Sequence, residues 1–242
     1  MTEKQHPAYN FSGDAIMKLY DQVIEGIFLR RPNRFIAHVE TDRGEEICHV
    51  KNTGRCKEIL VPGARVYLAV SDHPARKTRC DVIGVEKAGM LINMDSQAPN
   101  RAAGEAIPRL FPGARVIRPE CTFGDSRLDF YVETDDRKIF MEVKGVTLEE
   151  EGVVSFPDAP TQRGIKHLKE LEKCVQAGYE AAVLFVIQMQ NVKYFTPNRR
   201  THPAFADALK HAAEAGVQIL CYDCQVTPES MTLHNPVEIQ LE

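Results

Sequence analysis

The 242-residue sequence predicts a mixed α/β protein in two parts: an OB-like β-barrel over residues 1–95 and an α/β domain over residues 96–242. Three observations predict it. From Glu25 on, about 70 residues hold five or six short runs of strand-like spacing, broken by Gly, Pro and Asn turns. Beyond residue 95, strands alternate with amphipathic helices. Charge divides at the same place: 14 Lys and Arg against 13 acids up to Asp95, then 16 against 21.

In the first part, Glu25–Arg31 and Arg34–Glu40 flank the turn residues Pro32 and Asn33. Glu45–Val50 follows a turn at Asp42–Gly44, and Arg65–Val70 follows Pro62-Gly63. Asp81–Lys87 and Met90–Met94 lie on either side of Gly89. The segment up to Tyr20 is less patterned, and Ala15–Tyr20 reads as a short helix or a loose lead-in.

In the second part, Asn100–Leu110 has a helical pattern that stops at Pro112-Gly113. Arg127–Glu133 alternates strictly, with Leu128, Phe130 and Val132 on one side and Asp129 and Tyr131 on the other. A turn leads into Lys138–Val146, where Ile139, Met141 and Val143 share a face, and Gly152–Phe156 is a third strand. Thr161–Ala177 is an amphipathic helix with Ile165, Leu168, Leu171 and Val175 on its apolar side and Gly178 as its stop. Glu180–Gln188 is a continuous apolar run, the pattern of a strand buried on both faces. Pro203–Ala215 is a further helix and Gln218–Tyr222 a last core strand.

Composition narrows the function classes. With 43% hydrophobic and 26% charged residues, the chain is neither disordered, collagen-like nor a disulfide-stapled miniprotein. Its length allows a sizeable core without such staples. A net charge of −4 excludes a surface coated in positive charge but leaves room for a local basic groove. No apolar stretch is long enough to span a bilayer, and no apolar run follows the N-terminus as in a secretory signal. The seven scattered cysteines include one CxxC pair, Cys221 and Cys224, without a second, so they read as reduced thiols. A cytoplasmic location is expected.

Three residues carry candidate chemistry: Asp129, Glu142 and Lys144. Asp129 is a poor strand former at the centre of an apolar strand, on the face opposite the apolar residues. Glu142 and Lys144 are two apart on the next strand and share one face. If the strands form a hairpin, the three converge. Two carboxylates supply hard oxygens for Mg²⁺ or Mn²⁺, which can polarise a phosphodiester and generate hydroxide. A neighbouring lysine can offset charge on the phosphate. Glu105, on the preceding helix, is a candidate third metal ligand. The alternative is a solvated sheet face.

Six segments together resemble the sugar fermentation stimulation protein A family: Arg31–Phe35, Asn52–Arg55, Arg76–Thr78, Ser126–Phe130, Glu142–Gly145 and Phe156–Thr161. The resemblance runs from about Glu25 to the C-terminus. It implies an N-terminal OB-like domain joined to a core similar to the PD-(D/E)xK, or restriction-endonuclease-like, nucleases. It also implies DNA binding and a regulatory link to sugar (maltose) metabolism. Asp129 matches the motif aspartate, Glu142 the (D/E) position and Lys144 the lysine. Leu128 stands where the nuclease pattern has proline, a position without chemistry, and Lys51 stands where relatives are expected to have proline.

Basic residues supply candidate DNA contacts. Arg30, Arg31 and Arg34 crowd one turn, Arg55 follows the Asn-Thr-Gly loop, and Arg76 and Lys77 lead a third cluster with Arg79. From Lys51 to Arg79 there are seven basic residues against two acidic ones. Brought together they would track a phosphate backbone. Gln162, Arg163 and Lys166 could reach a phosphate from the first turns of the helix that starts near Thr161, where His167 lies one turn after Arg163. Phe35 and Tyr67 are candidate stacking faces for single-stranded bases, with burial in the barrel core the favoured reading. Nothing resembles a reader of base edges. The expected function is therefore largely sequence-non-specific DNA binding by a nuclease-like protein. The alternatives are an active metal-dependent nuclease and a small-molecule or nucleotide sensor acting through a partner.

Overall fold

Alternation of apolar and polar side chains folds the first part into strands. The computed structural model describes residues 18–52 and 54–242. Its strands β1 (Val23–Asn33), β2 (Ile36–Thr41), β3 (Gly44–Val50), β4 (Arg65–Val70), β5 (Cys80–Lys87) and β6 (Met90–Asn93) pair in the order β3-β2-β1-β4-β5-β6. β3 also runs parallel to β5, with Cys48 opposite Cys80 and Val50 opposite Val82. Five strands thereby close into an OB barrel, and closure leaves those strands without open edges. Phe28, Val39, Val50, Val66, Leu68 and Val82 fill its interior, each buried. Each such side chain contributes roughly 1.5–3 kcal/mol relative to exposure.

The two candidate stacking residues part company here. Tyr67 is buried, as expected, and its hydroxyl donates to Glu86 at 2.7 Å. Phe35 is 51% exposed, against the expectation of a core position. It sits in the β1–β2 turn, where its N–H is taken by the Asn33 side chain and its side chain is left open to solvent.

The second part continues with α1 (Ala98–Leu110), β7 (Val116–Phe123), β8 (Ser126–Glu133), β9 (Lys138–Val146), β10 (Leu148–Glu150), β11 (Val153–Phe156), α2 (Gln162–Gln176), β12 (Glu180–Ile187), β13 (Tyr194–Pro197), α3 (Pro203–Glu214), β14 (Gln218–Val226), β15 (Met231–Pro236) and β16 (Glu238–Ile239). The main sheet has the order β15-β14-β12-β9-β8-β7, and a smaller one the order β10-β11-β13-β16. β9, β12 and β14 are parallel at the centre of the main sheet, and the flanking pairs are antiparallel. Ala181–Ile187 of β12 is buried throughout, as its unbroken apolar run requires.

Strand alternation sends Ile139, Met141 and Val143 to the face covered by α1, with Ala102, Ala103 and Ile107. Phe140 goes to the opposite face, into the cluster that also holds Leu168 and Leu171 of α2 and Phe205 of α3. Glu142 and Lys144 follow Phe140 in the period of two, so they too face α2. The Thr161 hydroxyl caps α2 by accepting the Gly164 N–H at 2.9 Å.

β7 was not expected because Pro119 and the positive φ of Glu120 interrupt its pattern, which an edge strand tolerates. Residues 15–17 of the expected lead-in lie outside the described residues. Lys18 forms an isolated bridge with Ser230, and the Leu19 N–H donates to Glu229 at 2.8 Å.

The two parts share a buried polar seam. Asn93, at the end of the barrel, donates its N–H to the Gln188 carbonyl at 2.9 Å, and Gln188 Nε2 returns a bond to the Asn93 carbonyl at 2.9 Å. Asn93 Nδ2 donates to the Tyr20 hydroxyl at 3.0 Å, and that hydroxyl donates to Asp95 at 3.3 Å. Lys87 of the barrel pairs with Glu149 at 2.6 Å. Among the described residues no helix is long and apolar enough to cross a membrane.

Candidate functional site

The β8–β9 ladder runs from Glu133 opposite Lys138 to Phe130 opposite Met141 and ends there. One residue further, Asp129 Oδ2 accepts the Val143 N–H at 2.8 Å. Its Oδ1 accepts Asn100 Nδ2 of α1, also at 2.8 Å. The side chain thus serves the backbone donor that the opening strands leave behind, which accounts for a poor strand former at this position. Burial, and then the charge of Glu142, push the Asp129 carboxyl above its usual range. The Val143 and Asn100 bonds and Lys144 oppose that rise.

Glu142 is 3% exposed. Burial alone would raise its pKa, but the His167 hydrogen bond and the nearby Lys144 hold it below the usual value. Lys144 Nζ donates to Glu142 Oε1 at 2.6 Å, and His167 Nδ1 bonds the same oxygen. Arg163 Nε in turn donates to His167 Nε2 at 3.3 Å. The other carboxylate oxygen, Glu142 Oε2, is buried and has no hydrogen-bond partner. Asp129, Glu142 and Lys144 therefore come together as the hairpin argument expected.

Glu105 does not join them. Asn100, not Glu105, is the α1 side chain that reaches Asp129. Five residues of helix rotate a side chain by about 140° relative to Asn100, which turns Glu105 to another flank. Its Oε1 is buried without a partner, and burial alone lifts its pKa to about 7, with no charged group acting on it. Among the described residues, no three His, Cys, Asp or Glu side chains form a ready-made metal cage.

The basic residues separate into two kinds. Arg30, Arg34, Arg55 and Lys57 line one groove on the barrel, which extends to Ala159 of the second part. Arg34 and Arg55 are exposed and make no side-chain bond among the described residues, whereas Arg30 shares an exposed ion pair with Glu45 at 2.9 Å. Arg31 borders the same groove but is committed inward. Its guanidinium donates to the carbonyls of Arg55, Arg34 and Asn52 at 2.8, 2.6 and 2.9 Å, so it braces the loops rather than offering itself to a phosphate. Arg76 lies outside the groove lining, forked onto the buried carboxylate of Asp81. Lys77, beside it in sequence, is exposed and also outside that lining.

The loop bearing Arg55 docks on the second part through the Arg55 N–H, which donates to Asp158 Oδ2 at 3.1 Å. A β-carbon on Gly54 would run into that carboxylate, so the close approach needs glycine. On α2, Gln162 is exposed, Arg163 holds His167, and Lys166 donates to the Asp125 carbonyl at 3.1 Å.

Sequence reasoning did not assign roles to Asn100 and His167. The usable signal for His167 was its place on the buried stripe of α2, with Gly164, Leu168 and Leu171, facing the strand of Glu142. Asn100 carried no comparable signal.

Comparison with known proteins agrees with this architecture. A family model described as the sugar fermentation stimulation protein RE domain matches residues 97–230, and one described as the SfsA N-terminal OB domain matches residues 29–94. A sugar fermentation stimulation protein homolog of Desulfitobacterium hafniense (strain Y51) is 57% identical over 223 residues, covering 92% of this chain and 98% of its own. One from Clostridium beijerinckii is 52% identical over 224 residues, covering 92% and 99%. The solved structure of Pyrococcus furiosus SfsA in complex with Ca²⁺ is similar at a TM-score of 0.83 and 32% identity, covering 93% of this chain and 99% of that one. With both parts matched and more than half of the aligned residues shared with a relative of nearly equal length, the chain belongs to the sugar fermentation stimulation protein family.

Proposed function

We propose that this protein binds DNA along its phosphate backbone, largely without sequence preference, and presents it to a divalent-cation site of the PD-(D/E)xK kind. The observation that carries the reading is the groove lined by Arg30, Arg34, Arg55 and Lys57, which reaches Ala159, two residues before the cap of α2. Guanidinium and ammonium groups without base-edge geometry attract phosphates of any sequence. The exposed ring of Phe35, next to Arg34, supports stacking on unpaired bases and so favours single strands. Such cationic lining does not favour the small-molecule sensor, which requires an apolar pocket. DNA binding is also the step through which the protein would reach sugar metabolism.

The site chemistry supports Mg²⁺ or Mn²⁺. Glu142 Oε2 is an orphaned buried acceptor, and the charge of Glu142 raises the pKa of a second carboxylate, Asp129; a cation would satisfy the first and relieve the repulsion between the two. Magnesium is commonly held by one or two carboxylates, with water and substrate phosphate completing its shell, so a third protein acid is not required. The Ca²⁺ in the P. furiosus relative supports a hard divalent ion here.

The intact Asp129, Glu142 and Lys144 set also favours a second reading, an active phosphodiester-hydrolysing nuclease. A bound cation would polarise the phosphodiester and lower the pKa of water. Lys144, anchored by Glu142, would offset negative charge on the phosphate. Digestion of labelled single- and double-stranded DNA with Mg²⁺ or Mn²⁺ tests this. Cleavage lost in Lys144→Ala supports the enzyme, and salt-sensitive binding without cleavage leaves the first reading alone. Affinity that does not change with salt removes both.

A further inference from the structure

We propose that His167 is a positioning residue for the cation: locked by Arg163, it holds Glu142 through Oε1 so that Oε2 is the oxygen left for the cation. This rests on the cation reading above.

The hydrogen-bond pattern determines where the imidazole proton lies. Arg163 Nε can only donate, and it points at His167 Nε2 at 3.3 Å. Nε2 must therefore accept, and in the neutral ring the proton is on Nδ1. Nδ1 is the atom against Glu142 Oε1, so the bond there is Nδ1–H donating to the carboxylate. Lys144 Nζ donates to the same oxygen at 2.6 Å; it also lies 3.4 Å from Nδ1, but its short bond goes to Oε1, and Nδ1 is nearer to that oxygen than to the ammonium.

Two donors thus converge on Oε1 and none reaches Oε2. A carboxylate with four acceptor sites has been made one-sided. Without His167 the lysine alone would hold it, and a single flexible ammonium does not fix the plane of a carboxylate. The arrangement also shows what His167 does not do. Nδ1 is held by Glu142 and Nε2 by Arg163, so the ring has no free nitrogen to take a proton from water. Arg163, expected to be a phosphate contact, uses its Nε on the histidine while its outer guanidinium nitrogens remain available.

The test has two arms. Long-range ¹H–¹⁵N NMR on histidine-labelled protein, stripped of metal and held above neutral pH, should show His167 with its proton on Nδ1. A proton on Nε2 would overturn the lock. Mn²⁺ titration calorimetry then compares variants. His167→Ala should bind Mn²⁺ about 10- to 100-fold more weakly, the range for loss of a residue that orients a ligand. His167→Asn, whose amide nitrogen can replace Nδ1, should recover to within about threefold of wild type. Failure of Asn to rescue, or His167→Ala binding as tightly as wild type, sinks the inference. Asp129→Asn is the control for the underlying reading, and normal Mn²⁺ binding by it would remove the cation site altogether. Should His167→Ala not fold, Arg163→Ala at an exposed position stands in. It should shift the proton toward Nε2 and weaken Mn²⁺ by about 2- to 10-fold, the worth of one hydrogen bond, and no change in either overturns the lock.

Discussion

Asp129 accepts the backbone N–H of Val143 at 2.8 Å, past the last paired residues of their two strands. One carboxylate thereby does two things: it closes a gap in the sheet and lies within electrostatic reach of Glu142 and Lys144. The two can be separated by mutation. Asp129→Asn retains an acceptor for Val143, whereas Asp129→Ala leaves that N–H and the Asn100 amide unpaired. The alanine variant should lose about 1–3 kcal/mol of stability, and the asparagine variant much less. Both should lose Mn²⁺ binding by calorimetry, while DNA affinity stays the same or rises because a negative charge near the phosphates is gone.

Arg34 and Arg55 are the guanidiniums most available to a phosphate. The double variant Arg34→Ala, Arg55→Ala should flatten the dependence of DNA affinity on salt, with the slope falling by about 0.9 per lost contact. Fluorescence anisotropy across a salt series measures this. Arg31→Ala should behave differently: it strands three carbonyls and should cost about 2–3 kcal/mol of stability along with affinity.

Arg76 is predicted to matter for folding and not for DNA. Its fork neutralises Asp81, whose carboxyl is buried yet held below the usual range by Arg76, Lys51 and His49 against the cost of burial. Arg76→Ala leaves Lys51 and His49 in place, so a loss of about 1–3 kcal/mol is expected in urea unfolding, with an unaltered salt slope.

Glu105 carries a pH signature. Burial lifts its pKa from 4.5 to about 7. The folded chain therefore holds a proton that the unfolded chain releases between those values, and stability from this group falls as pH rises through that window. Glu105→Gln should melt at a higher temperature than wild type above neutral pH and show a shallower fall between pH 4.5 and about 7 in a thermal series.

Gly54→Ala should loosen the contact between the barrel loop and Asp158. The added methyl would lie 2.8 Å from Asn52 Oδ1 and closer still to the Asp158 carboxylate. A penalty of about 1–3 kcal/mol is expected for overpacking, and Asp158→Ala in the same chain should recover part of it in a double-mutant cycle.

Much of this was legible before the fold was known, for identifiable reasons. β12 announced itself because a strand covered on both sides must be apolar at every position. Asp129 stood out because aspartate is costly in a strand unless something uses it. Arg31, Arg76 and Glu105 were read less well. A guanidinium that braces carbonyls, or neutralises an aspartate five residues on, has the same letter as one that faces solvent. Which flank of α1 Glu105 occupies depends on packing, not on its spacing from the strands. β7 was hidden because Pro119 and the positive φ of Glu120 interrupt its pattern, a fault that an outermost strand tolerates. His167 sat on the buried stripe of its helix, where a histidine is as readily filler as a functional group.

The Asn93, Gln188, Tyr20 and Asp95 seam has a practical consequence. Dividing the gene after the barrel would strip Asn93 of the Gln188 bonds that bury it and open the neighbouring phenol and carboxylate to water, so neither fragment would keep its native surface. The protein should melt as a single unit in calorimetry, and the angle between the barrel and the α/β domain is built into the molecule.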